Sequence, residues 1–422
     1  MTPVIAYCGM THLGLVSGTA AAAKGFPTVL FDPDADLIAR LDRADLPVSE
    51  PDLDATFAAN RDRLTVTADA ADLARADVIY LAPDVPTDDT GASDLSAVER
   101  LLAVVAPALR DDAVLVILSQ VPPGFTRGIA GVRCALHYQV ETLVFGIALQ
   151  RALEPERYIV GCADPSAPSP AAFETYLAAF DCPILPMRYE SAELAKISIN
   201  MCLVASIGVA NTMAEVCESV GADWSEIAPA LKLDRRIGQY SYLAPGLGLA
   251  GGNLERDLAT VMRLGAAHGT DTGIVKAWVE NSQWRKGWAA RTLRSRVLDA
   301  NPSARVAVLG LAYKQDTHST KNSPSLALLA ELGGVSVVVH DPVVPAGAAP
   351  IAVEAADGPM AAVRGAHVLC IMTPWAPYKA LDPKDIADAM AGRTVLDPYR
   401  VLDEAASLAA GLDYVTLGVT RD

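Results

Sequence analysis

Basic residues are in short supply in this chain of 422 residues: Lys+Arg number 34 against 50 Asp+Glu, a formal net charge of -16. On average that field repels a phosphate backbone or an anionic membrane surface, so nucleic acid and membrane are not expected partners. Cysteines are also few, seven in all, and Cys8, Cys134, Cys162, Cys182, Cys202, Cys217 and Cys370 include no CxxC pair. Neither a disulfide framework nor a metal site is expected from that scatter. The sequence shows no basic leader followed by an apolar stretch, and no apolar run of membrane-spanning length. The expected compartment is therefore cytoplasmic.

What is abundant is apolar material. Hydrophobic residues make up 51% of the chain and charged residues 20%, enough to bury several cores. The length predicts two or three domains. Short β-rich apolar runs recur as VIAYC (Val4 to Cys8), TVLFDPD (Thr28 to Asp34), ADVIYLAP (Ala76 to Pro83), AVLVILSQ (Ala113 to Gln120) and ERYIVGC (Glu156 to Cys162). Helical stretches lie between them, which predicts a doubly wound parallel sheet. From Ser191 to Val220 the pattern becomes helical without a proline, and helical patterns resume from Ala259 to Leu298 after a glycine-rich loop. After Asn301-Pro302 the α/β rhythm returns with RVAVLGLAY, VSVVVHDP, HVLCIMTP and TVLDP.

Any phosphate this acidic protein holds must be gripped locally. GMTHLG, Gly9 to Gly14, lies between the first strand and a helix, and Asp32 ends the next strand. That is the dinucleotide arrangement: the first glycine makes the tight turn, the last lets helix and strand approach, and the acid accepts bonds from an adenosine ribose. A carboxylate there disfavours a 2′-phosphate, so NAD is expected over NADP. The middle glycine of the pattern is replaced by Thr11.

Motifs along nearly the whole chain resemble the UDP-glucose/GDP-mannose dehydrogenase family. EPDL (Glu50 to Leu53) is similar to YEPGL, VPTDDTGASDLS (Val85 to Ser96) to TPTxxDGxxDLS, and SQVPPGFTR (Ser119 to Arg127) to STVPPGTT. VETLVFG, from Val140, resembles PEFLREG; SAELAKISIN (Ser191 to Asn200) resembles AELIKYAAN. YLAPGLGLAGGNLERD (Tyr242 to Asp257) aligns without gaps on FLxPGxGYGGSCFPKD, and GLAYKQDTHSTKNSPS (Gly310 to Ser325) resembles GLAFKxxTDDxRxSPS.

The resemblance implies two Rossmann-like doubly wound domains joined by a helical middle domain, at 1–190, 191–300 and 301–422. It implies a homodimer joined through the helix starting near Ser191. Lys196 matches the family's active-site lysine and Asn200 its asparagine partner; four apart on a helix, they lie on one face. Asp257 matches an aspartate that positions a proton-accepting water, and Glu141 a carboxylate of the same site. On the cofactor side the resemblance implicates Gly9, Thr11, His12, Leu13, Gly14, Asp32, Val85, Pro86, Ser119, Gln120 and Lys321. For a UDP- or GDP-sugar substrate it implicates Glu141, Lys196, Asn200, Arg236, Tyr242, Leu243, Gly248, Gly251, Tyr313 and Lys314.

Departures from the pattern carry as much meaning. In the family a cysteine attacks an aldehyde intermediate, and the resulting thioester is hydrolysed to a uronic acid. Here Asn253 stands at that cysteine, and an amide has no ionisable thiol. The second glutamate, assigned to hydrolysis, is Phe145, and Gln120 replaces a threonine. The expected activity is a single two-electron oxidation of a sugar alcohol, at a secondary carbon, giving a keto sugar. Relatives in antibiotic-sugar pathways act on long-chain sugars such as GDP-octoses at such a carbon. An NAD-dependent epimerase and a non-catalytic nucleotide-sugar binder are the alternatives.

Overall fold

The computed structural model describes residues 2–86, 88 and 92–420. Four residues of the VPTDDTGASDLS motif, Thr87, Asp89, Thr90 and Gly91, lie outside the described residues. The chain forms two compact units, Met1–Ile199 and Asn200–Asp422.

The first unit is built on an eight-stranded sheet of order β3-β2-β1-β4-β5-β6-β7-β8. Its strands are β1 (Ile5–Cys8), β2 (Thr28–Phe31), β3 (Leu64–Thr67), β4 (Val78–Leu81), β5 (Val114–Ile117), β6 (Ala135–Gln139), β7 (Tyr158–Cys162) and β8 (Ile184–Arg188). IAYC, TVLF, VIYL and VLVI are buried at every position, as strands covered on both faces must be. Chain order reverses between β1 and β4, which opens a crevice at the carboxyl ends of these strands. Helix α1 (His12–Ala23) starts there, and Gly25 at φ +95° follows its end.

The sheet is not wholly parallel. β6 and β7 pair antiparallel, a reversal that the alternation of apolar runs does not encode. β3, β6 and β8 are also absent from the sequence reading. LTVT and ALHYQ interleave polar residues, and ILPMR is largely exposed and carries Pro186, as suits an edge strand.

The second unit begins with helices and ends in a six-stranded sheet. A 32-residue helix, Tyr189–Val220, enters it from the first unit, followed by Trp224–Leu233, Asn253–His268, Gly273–Lys286 and Trp288–Leu293. Arg294–Leu298 widens into a π turn. The strands β9 (Arg305–Leu309), β10 (Ser336–His340), β11 (Glu354–Ala355), β12 (Val368–Ile371), β13 (Thr394–Leu396) and β14 (Asp413–Val415) lie in the order β11-β10-β9-β12-β13-β14. All these pairs are parallel.

One expectation is corrected. By length and composition alone, Tyr189–Val220 is apolar enough to cross a membrane. Polar residues such as Asn200 and Asn211 interrupt its apolar run, so no continuous stretch is visible in the sequence. Glu193, Asn200 and Asn211 along it are buried in protein.

Candidate active site

The crevice of the first unit has the geometry of a dinucleotide cradle. Gly9 has φ +95°, and a Cβ there would lie 2.9 Å from the Pro83 nitrogen. A Cβ on Gly14 would meet the Gly9 carbonyl oxygen at 2.0 Å, so only a bare Cα lets α1 sit so close to β1. Asp32 accepts from the Met10 amide through Oδ2 at 2.8 Å and from the Asp34 amide through Oδ1 at 3.0 Å. It remains half-buried, with lone pairs free in direction for a ribose. Thr11 is extended, φ -82°, so glycine is not required at this position. Its hydroxyl accepts from the Asp84 amide at 2.9 Å.

His12 and Leu13 open α1. The His12 ring lies 4.1 Å from that of Phe145, centroid to centroid, and its Nε2 pairs with Glu50 Oε1 at 2.8 Å. Glu50 is buried and also accepts the amides of Gly146, at 2.9 Å, and Ala148, at 3.3 Å. One carboxylate thus ties the VETLVFG loop to the glycine turn. Ser119 faces inward, fully buried, its hydroxyl donating to the Pro83 carbonyl at 2.5 Å. Val85 and Gln120 are half-buried and Pro86 is exposed.

Lys196 Nζ lies 3.1 Å from Glu141 Oε2, both side chains mostly covered. The other Glu141 oxygen accepts the Leu143 amide. Beside Glu141 a cavity of about 40 Å³ is lined by Tyr7, Gln139, Thr142, Arg151 and Tyr158, room for ordered water. Three residues before Lys196, fully buried Glu193 accepts the amides of Gly124, at 2.6 Å, and Thr126, at 2.9 Å. Burial pushes its carboxyl above the usual value, against the pull of those hydrogen bonds. The SQVPPGFTR loop is therefore fastened to the lysine-bearing helix.

In the second unit Asn200 Nδ2 donates to Asp257 Oδ2 at 2.5 Å, and Arg256 Nε to Asp257 Oδ1 at 3.2 Å. Asp257 is almost wholly buried. Asn253 is exposed at the first turn of the helix Asn253–His268, one turn before Asp257 and on the same face. Gly248, φ +80°, leaves no room for a Cβ, which would meet the Ser282 carbonyl oxygen at 2.4 Å. The Gly251 amide donates to the Lys321 carbonyl at 3.0 Å, and Asn322 Nδ2 to the Gly251 carbonyl at 2.8 Å. A Cβ on Gly251 would lie 3.0 Å from the Tyr313 ring. The glycine-rich loop is thus docked on the GLAYKQDTHSTKNSPS loop. Lys314 lies over the Tyr313 ring at 5.8 Å, and Lys321 is half-buried. Tyr242 is half-exposed, while Leu243 is buried and its carbonyl accepts the Trp224 indole at 2.7 Å. Arg236 stands apart from these groups, exposed and paired with Asp234 at 2.6 Å.

Glu50 and Glu193 are absent from the sequence-derived site. Both lie inside motifs already noted, EPDL and SAELAK, but their partners are far away in sequence.

Fold and cradle together define a Rossmann-type oxidoreductase that uses NAD. Residues 4–176 match the NAD binding domain of the UDP-glucose/GDP-mannose dehydrogenase family, 190–283 its central domain and 307–404 its UDP binding domain. A UDP-glucose 6-dehydrogenase of Pseudomonas aeruginosa is 30% identical over 440 residues, covering 98% of this chain and 97% of that protein. A UDP-glucose dehydrogenase from Pyrobaculum islandicum superposes with a TM-score of 0.86 at 26% identity, covering 100% of this chain and 98% of that one. A UDP-D-ManNAc dehydrogenase of Pyrococcus horikoshii shares the fold, with a TM-score of 0.83 at 24% identity and coverage of 98% and 99%. The chain belongs to the UDP-glucose/GDP-mannose dehydrogenase family. It is an NAD-dependent oxidoreductase that acts on nucleotide sugars.

Proposed function

We propose that the enzyme performs one two-electron oxidation, converts a secondary alcohol of a nucleotide sugar into a ketone, and stops. The observation that carries this reading is Asn253, exposed at the first turn of its helix, on the face that also bears Asp257. A thiol at that place is what a second oxidation would need. Phe145, in place of the hydrolytic carboxylate, lies against His12 as an aromatic contact. The first oxidation keeps its groups. When bound, NAD supplies the hydride acceptor. Lys196, held by Glu141, stabilises the oxygen as its proton leaves. Asp257, held by Asn200 and Arg256, orients the water that takes the proton. A ketone has no hydrogen left to surrender as hydride, so the reaction ends there.

The division at 1–190, 191–300 and 301–422 belongs to the same reading. So does a homodimer, in which Arg236 serves the partner's site. Val209, Met213, Val216 and Val220 are exposed at spacings of four, three and four along Tyr189–Val220, an apolar stripe suited to a second copy. A monomer in sedimentation at micromolar concentration would remove that part.

The test is to count NADH across UDP- and GDP-sugars, long-chain octoses included, with mass spectrometry of the product. One NADH and a keto sugar are expected, and Lys196→Ala should lower turnover about 10²–10³-fold. Two NADH with a carboxylate product would sink the single-oxidation reading. An epimer without net NADH, or binding without turnover, would replace it with the epimerase or the non-catalytic binder.

A further inference from the structure

The amides at the start of α1 are the groups that a dinucleotide's pyrophosphate needs. In this structure an acidic side chain already uses them. The His12 amide donates to Asp84 Oδ2 at 3.3 Å. The Asp84 amide is in turn anchored on Thr11 Oγ1 at 2.9 Å, so the residue is fixed at the mouth of the helix by its backbone as well. Thr11, the departure from the glycine pattern, supplies that anchor. The turn after β4 thus delivers a carboxylate to the place where an anionic ligand must sit.

The surrounding charges do little to offset it. From α1 the facing titratable group is His12, whose ring is already paired with Glu50. Asp32, at the end of β2, is bound to the Met10 amide, two residues before that helix, and adds no positive charge to the crevice. Asp84 is exposed at the mouth of the crevice, yet desolvation by the surrounding protein pushes its carboxyl above its ordinary value, while His12, the amides of His12 and Leu13, and Thr11 pull it back. An arriving pyrophosphate adds negative charge beside it and favours its protonated form further.

We propose that Asp84 is a resident anion of the cofactor cradle, and that NAD binds only as this carboxylate is neutralised or displaced, with uptake of a proton. The inference rests on α1 being the dinucleotide helix. Its sign follows from linkage: the bound state holds more protons than the free state between the free and bound values of Asp84. Within that window NAD affinity falls as pH rises, by at most about tenfold per unit, and it levels off on either side.

Isothermal titration of the full-length protein with NAD between pH 5 and 8, in buffers of different ionisation heat, reads the proton count directly. The wild type should take up a fraction of a proton and bind more weakly at the alkaline end. Asp84→Asn and Asp84→Ala should each tighten NAD about tenfold at the alkaline end and abolish the uptake, with His12 still in place. Wild-type binding that is equal to both variants in affinity and proton count would overturn the proposal. If only the variants bind NAD, the proposal holds in its strongest form. If none of the three binds it, the cofactor assignment of the cradle falls and this inference with it.

Discussion

The two sheets of this chain are variants of one plan, and their differences show how a shared crevice is turned to different uses. Both order their first six strands the same way, with the reversal between the first and fourth. Both end the first strand on a glycine of positive φ, Gly9 at +95° and Gly310 at +98°. The amide of each glycine donates to the end of the second strand, Gly9 to Phe31 at 2.9 Å and Gly310 to His340 at 2.8 Å. An aspartate follows that strand in each, Asp32 and Asp341.

From there they part. In the first sheet the helix begins at His12, and its amides face the crevice. In the second, the next helix begins at Pro324, and the segment before it turns its own backbone amides, those of Leu311 and Ala312, to Asp341. Asp341 Oδ2 accepts from Leu311, Ala312 and the Trp375 indole at 2.6, 3.1 and 3.1 Å. Its Oδ1 accepts from Val343 and Val344 at 2.9 and 2.8 Å. Five donors leave nothing for a ligand. Asp32, with two, is available for one.

The sharpest way to break the comparison is at the contact over the first glycine. Gly14 covers the Gly9 carbonyl with a bare Cα, while Ser325 covers the Gly310 carbonyl with a hydroxyl that donates at 2.6 Å. Gly14→Ala places a Cβ 2.0 Å from that oxygen and should cost about 3 kcal/mol, with NAD binding lost. Ser325→Ala removes one hydrogen bond and should cost only about 1 kcal/mol. Urea denaturation of both variants checks the pair. Equal losses would mean that the two crevices close in the same way.

Asp341 comes next. Asp341→Ala strands several amide donors and should cost about 2 kcal/mol without any direct effect on NAD. The hydrogen bonds also hold its carboxyl below the usual value, against burial. Its folded value lies under its unfolded one, so its stabilisation is complete above the ordinary carboxylate range and drains away as pH falls through the depressed value. The variant should therefore lose less stability than wild type on acidification below about pH 4. An unchanged acid profile would count against this role.

How much of this was readable in advance depends on how local the cause is. β1, β2, β4 and β5 are legible because each is a short, mainly apolar run rich in β-formers. Gly9, Gly14 and Asp32 are legible because a tight turn, a close approach and a strand-end acid demand those residues at fixed spacing. Glu50, Glu193 and Asp84 were not. Each acts through amides brought near by the fold: Glu50 meets Gly146, Glu193 meets Gly124, and Asp84 meets His12. No spacing rule connects such pairs. Asp84 was the hardest to see, since a polar loop residue after a buried strand is ordinary until the loop is seen to end at a helix amide. Ser119 shows the reverse: a motif position that suggests cofactor contact has its hydroxyl spent on Pro83.

The smallest effect tests the comparison from the ligand side. Asp32 gives one oxygen to Met10 and one to Asp34 and is half-buried, so Asp32→Ala removes two surface-accessible bonds and should change stability by under about 1 kcal/mol. What it removes from NAD is a charged acceptor for the ribose hydroxyls, a loss of about tenfold in affinity. For NADP the same change has the opposite sign, because the carboxylate that repels the 2′-phosphate is gone. The preference for NAD should therefore narrow from both directions. Titration of wild type and variant with each cofactor reads this. Equal affinity of the wild type for both would show that Asp32, like Asp341, is occupied with its own backbone, and the contrast between the two crevices would have to be drawn elsewhere.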